Sequence, residues 1–192
     1  MILPIVAYGS PVLRKVCSDI DSGFAGLEKL IADMWETMYA SNGVGIAAPQ
    51  VNKNIRLFVI DSEQIFNNMD EEDDENYPDE PGFKGVFINA HITELNGEEW
   101  SYTEGCLSIP KIREDISRKE SVTLTYVDEN FESHVRTFNG ITARVILHEY
   151  DHIEGKLFID YIKPLKRTLL KRKLDDISKG KVQVDYRMVF PK

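Results

Sequence analysis

Residues 148–152 read His148-Glu149-Tyr150-Asp151-His152. On a helix, at roughly 100° per residue, imidazoles four positions apart project from one face and can grip one metal ion. Glu149 stands beside the first of them, where a carboxylate can take a proton from a water held by that ion. The flanking residues favour a helix: Val145, Ile146, Tyr150 and Ile153 recur near helical spacing, and Gly155 is a stop signal. A histidine pair alone arises by coincidence. The intervening carboxylate, on a helix apolar enough to be buried, argues for a metal, because buried imidazoles cost stability unless they are partnered. The chain has four histidines, and two of them are here.

A catalytic divalent metal commonly takes three protein ligands and leaves a position for water or substrate. Metzincin proteases place a third His six residues after the second, where this chain has Phe158. Proteases with a downstream Glu ligand find no match, since no Glu follows Glu154; Asp175 and Asp176 lie in a run of Lys and Arg that reads as a solvated surface. Cys17, Cys106, His91 and His134 remain. Cys106 is the best candidate. It lies in Glu104-Gly105-Cys106-Leu107-Ser108-Ile109-Pro110, where Gly permits close backbone approach and Pro interrupts sheet pairing.

Three segments together resemble the peptide deformylase family: Gly43-Val44-Gly45-Ile46-Ala47-Ala48-Pro49-Gln50, Glu104-Gly105-Cys106-Leu107-Ser108, and His148 through Gly155. They stand in the family's order and spacing apart from a longer middle stretch, and the resemblance runs from about residue 3 to residue 165. It implies a hydrolase that removes the formyl group from the N-terminal formyl-methionine of new polypeptides and releases formate. It also implies that Cys106, His148 and His152 hold one divalent ion, Fe2+, with Zn2+, Ni2+ or Co2+ as substitutes. Hydroxide on that ion would attack the formyl carbon, with Glu149 as general base and then acid. Gln50 and the Leu107 N–H would stabilise the oxyanion, and the backbone at Gly45 would meet the extended substrate. Val44, Leu107, Ile141 and Val145 match the methionine slot, with Tyr102 at its rim, and Glu104 and Arg113 match positions around the substrate. Arg144 departs from a position that is often apolar in the family, and is expected at the pocket edge or facing solvent.

Two other readings compete. A metallopeptidase cutting internal bonds lacks its third ligand at position 158. A non-catalytic metal- or ribosome-binding module would have no use for Glu149 and Gln50.

These residues need elements to hold them. Leu27, Leu30, Ile31, Met34 and Met38 mark a helix over 25–40, and β-rich runs follow at 55–61, 84–92, 95–102, 121–128 and 132–138. The metal helix is expected at about 141–154, a second helix at 164–178 and a strand-like tail at 182–188. The pattern predicts an α+β fold of one domain over residues 1–192, with antiparallel strands gathered around the metal helix. Gly43 could also cap the helix before it.

The net charge of −9 comes from residues 62–83, which hold nine acids and no base; the remainder is balanced. This stretch is expected to be a loop insertion. The bases Lys163, Lys166, Arg167, Lys171, Arg172 and Lys173 on the second helix could meet ribosomal phosphate, although the strand-like tail differs from the helical tail of relatives that dock this way. Two cysteines make no disulfide framework, the apolar start is too short for a secretory signal, and no run approaches a membrane span. The expectation is a cytoplasmic protein with no membrane or DNA partner.

Overall fold

The computed structural model describes residues 1–69 and 82–191. Its centre is a five-stranded antiparallel sheet in the order β2 (Gly45–Ala47), β3 (Leu57–Asp61), β4 (Lys84–Cys106), β5 (Ile109–Val127) and β6 (Ser133–Asn139). A separate two-stranded parallel sheet joins β1 (Ile5–Val6) to β7 (Met188–Val189). Four helices are described: α1 (Leu27–Ala40), α2 (Glu63–Asn67), α3 (Gly140–Ile153) and α4 (Pro164–Ser178).

Side-chain alternation sorts the sheet between two helices. Phe58, Ile60 and Phe87 point to the face covered by α3, and pack with Ala143, Ile146 and Leu147. Their neighbours Leu57, Val59, Val86 and Ile88 point the other way, onto Leu30, Ile31, Met34 and Met38 of α1. Twelve of the fourteen residues of α3 are buried, so it is the interior helix expected of a segment apolar on most sides. A third cluster fastens α4 to the end of the β4–β5 hairpin, through Leu170, Leu174 and Ile177 with Ile109, Ile112 and Phe158.

The α+β expectation and the helix bounds agree with this architecture, and α4 coincides with the predicted range. The strands differ in three ways. The runs at 84–92 and 95–102 are one strand, because the gap between them is absorbed as a register shift between Ile92 and Glu94 in the pairing with β5. Residues 109–120, not expected to be extended, form the first part of β5. Of the tail at 182–188, only its last residue is extended, in the two-residue strand Met188–Val189. The acidic stretch opens with α2 at 63–67, whereas 70–81 lie outside the described residues. Among the described residues no helix is long and apolar enough to cross a membrane.

Candidate metal centre

Cys106 ends β4 at the tip of the long hairpin, where it pairs with Ile109 across the turn Leu107–Ser108. The tip folds over α3, and the ligand atoms of Cys106, His148 and His152 all lie within 4.8 Å of one another. Cys106 Sγ is 3.2 Å from His152 Nε2, and the two imidazole centroids are 5.3 Å apart. The other candidates for a third ligand lie elsewhere. Cys17 is buried and its thiol is pushed up to about 11 by that burial. His91 faces Asp19 and His134 faces Asp128. Phe158, at the metzincin ligand position, stacks its ring beside His148. Asp175 pairs with Lys179 on the surface of α4.

His148 Nδ1 donates to Glu104 Oε2 at 2.9 Å, which fixes the tautomer and leaves Nε2 free as a ligand. Glu104 thus orients a histidine. It borders the cleft, but both oxygens are occupied: Arg118 grips them from Nε at 2.6 Å and Nη2 at 2.9 Å, and Arg144 Nη1 adds a contact at 3.1 Å. Burial works to raise this carboxyl, but the hydrogen bonds from His148 and Arg118 outweigh it and hold Glu104 well below the usual carboxylate range. Arg118 also donates to Asp151 within the histidine motif at 2.7 Å, and Tyr161 caps the other oxygen of Asp151 at 2.9 Å. A charged, hydrogen-bonded network thus braces the helix turn that carries both imidazoles.

Sequence reasoning missed Arg118, and Asp151 was read only as a motif letter. The available signal was an Arg at an inward position of a charge-rich strand, which is costly unless carboxylates wait inside. Arg144 resolves against solvent: it is 2% exposed, donates to the Ile116 and Trp100 carbonyls at 2.8 and 2.7 Å, and lies over the Trp100 ring.

Glu149 is buried, and its Oε2 has no hydrogen-bond partner among the described residues. Burial, the largest cause, lifts its carboxyl to about 7, against the pull of His148 and Arg118. Such a group can take and return a proton near neutral pH. For His152, burial lowers the imidazole pKa, which favours the neutral, ligating form. Gly45 owes its lack of a side chain to Glu149: a Cβ there would sit 2.6 Å from Glu149 Oε1. Gly43 does not take the left-handed position after α1, which Asn42 occupies at φ 55°. A Cβ on Gly43 would instead press on Leu107 at 3.0 Å.

Gln50 is 1% exposed. Its Oε1 accepts from the Ala47 N–H at 2.8 Å, which turns Nε2 toward Cys106 Sγ (3.5 Å) and Ser108 Oγ (3.3 Å). A cleft of about 610 Å³ opens over these groups. Of the residues assigned to the substrate, Val44, Tyr102, Leu107, Arg113 and Val145 border it. Ile141 does not. It is fully buried in the first turn of α3, seven residues and so about 10 Å along the axis from His148. Val184, Asp185 and Tyr186 border the cleft unexpectedly.

The donor set suits a divalent ion: one soft thiolate and two imidazoles converge beside an unpartnered carboxylate oxygen. The family model described as polypeptide deformylase matches residues 2–168. A peptide deformylase of Christiangramia forsetii is 52% identical over 193 residues, covering 100% of this chain and 97% of that protein. One from Flavobacterium psychrophilum is 53% identical over 188 residues, covering 98% and 96%. The crystal structure of the Thermus thermophilus peptide deformylase is similar with a TM-score of 0.79 at 33% identity, over 94% of this chain and 99% of that one. The Legionella pneumophila peptide deformylase gives 0.77 at 35%, over 94% and 98%.

Proposed function

The chain belongs to the polypeptide deformylase family, and from that premise we propose how its own residues remove an N-terminal formyl group. The family's members are metal-dependent hydrolases acting on formyl-methionyl peptides. Cys106, His148 and His152 are the ligands in this reading, and Fe2+ is the ion, with Zn2+, Ni2+ or Co2+ able to replace it. When bound, the ion supplies a Lewis acid and acidifies a water. Glu149 takes the proton of that water on its unpartnered oxygen and returns it to the departing amine. The Gln50 amide and the Leu107 N–H donate to the formyl oxygen as negative charge grows there. Val44, Leu107 and Val145 receive the methionine side chain. Gly45, on the edge strand β2, lets the extended peptide approach the backbone.

The observation that carries the reading is the convergence of one thiol and two imidazoles beside a buried carboxylate with a free oxygen. Formate release from formyl-Met-Ala-Ser, with no cleavage of the acetylated peptide or of internal bonds, is the expected result. Internal cleavage, or no turnover in iron-loaded anaerobic protein, would overturn it.

A cytoplasmic setting goes with this substrate, as does contact between ribosomal phosphate and the basic face of α4. Lys171, Arg172 and Lys173 are exposed there, in support of such a contact. Against it, Lys166 is engaged by Glu114 and Arg167 by Asp160. Co-sedimentation with ribosomes that is unchanged when Lys171, Arg172 and Lys173 become Ala would remove the ribosome contact.

A further inference from the structure

The C-terminal segment is anchored at both ends. At one end the Lys181 N–H donates to the Asp176 carbonyl of α4. At the other, the Ile5 and Ala7 N–H groups donate to the Arg187 and Val189 carbonyls. The chain between these anchors has little choice of path, and it runs along the cleft at Val184–Tyr186. From there the Tyr186 hydroxyl donates to the Leu107 carbonyl at 2.8 Å, across 79 positions of sequence. The next carbonyl of the hairpin turn, that of Ser108, accepts from the Tyr8 N–H at 2.8 Å. The two carbonyls of the turn are thus held by opposite ends of the chain. The Leu107 N–H has no protein acceptor among the described residues.

We infer that Tyr186 is a positioning residue: its hydroxyl, by holding the Leu107 carbonyl, aims the Leu107 N–H at the formyl oxygen. The inference rests on the deformylase reading above. The Leu107 carbonyl and the Leu107 N–H lie in successive peptide planes joined only by the φ and ψ of that residue, so in a two-residue turn closed by the Cys106–Ile109 pair, holding the carbonyl restricts both torsions and with them the direction of the N–H. Tyr186 packs its ring against the α1-side core, so Tyr186→Phe removes the hydroxyl and keeps the packing. Burial raises the phenol pKa further, which keeps the hydroxyl a donor at ordinary pH.

The test compares wild type with Tyr186→Phe, both loaded with zinc. For formyl-Met-Ala-Ser the variant should lose about tenfold in kcat with KM within about twofold, less than the loss from deleting an oxyanion donor outright. Metal content should stay at about one ion per chain. In ¹⁵N-labelled protein the Leu107 amide resonance should shift and exchange faster. A merely structural role would instead lower the melting temperature or change KM and kcat alike, and that pattern would overturn the inference. So would unchanged kcat and an unmoved Leu107 resonance in an enzyme whose wild type is active. Absence of formate release from wild type would overturn the deformylase reading itself, and this inference with it.

Discussion

Two triads of ligand-type side chains occur among the described residues, Cys106–His148–His152 and Asp128–Glu132–His134, and in both the ligand atoms lie within 4.8 Å of one another. They differ in where their bonding capacity goes. In the second, at the β5–β6 turn, Asp128 Oδ1 accepts from the Asn130 and Glu132 N–H groups. Its Oδ2 holds His134, whose ring stacks on Tyr126. That triad closes a turn, and both carboxylate oxygens of Asp128 are spent. In the first, Glu104 takes the far nitrogen of His148, while Glu149 keeps an unpaired oxygen in the interior. Proximity of ligand atoms is therefore a weak sign of a site, and an ordered outer shell around unspent inner atoms is a strong one.

The largest contrast comes from deleting one ligand of each triad. Cys106→Ala should reduce bound metal from about one ion per chain to a small fraction and abolish formate release. Asp128→Asn should leave both unchanged. Elemental analysis after gel filtration checks the pair, and equal metal loss in the two variants would erase the distinction.

Glu149→Gln should keep the metal and lose turnover by about a hundred- to ten-thousandfold. It should also have a stability signature. The carboxyl is raised to about 7 from an ordinary 4.5, so its ionised form burdens the folded state above pH 7. That burden lifts as pH falls from about 7 toward 4.5. In chelator-treated protein, the substitution should therefore raise stability at pH 8 by up to about 3 kcal/mol, and the gain should vanish near pH 4.5. Urea midpoints at the two pH values measure it; a loss of stability at pH 8 would contradict the burial argument.

The smallest of the three effects concerns the outer shell. Glu104→Gln keeps the shape but removes the charge facing His148 and Arg118 and should weaken metal affinity by about ten- to a hundredfold without unfolding the protein. A chelator competition titration reads it directly.

How far the sequence exposed all this depended on which side chains carried the pattern. The metal helix was legible because Val145, Ile146, Tyr150 and Ile153 announce its period and the two histidines ride on it. The cleft lining was legible at Val44 and Val145 but overextended to Ile141, since periodicity gives the face of a helix and not the depth at which a cleft ends. The first part of β5 was hidden. Its inward positions alternate as Ile112, Glu114, Ile116 and Arg118, and a charged residue facing inward looks like surface until its partners are known. Those partners, Glu104 and Asp151, come from two distant segments, so no local reading could join them. The Tyr186 contact was hidden for the same reason, with donor and acceptor 79 positions apart.

The central claim is that sulphur and two imidazoles share one ion, and X-ray absorption at the edge of the bound metal tests it most directly. In zinc-loaded protein the account predicts one sulphur scatterer at about 2.3 Å with two histidine nitrogens at about 2.0–2.1 Å. A first shell of nitrogen and oxygen alone, with the Cys106 thiol free to react, would contradict it.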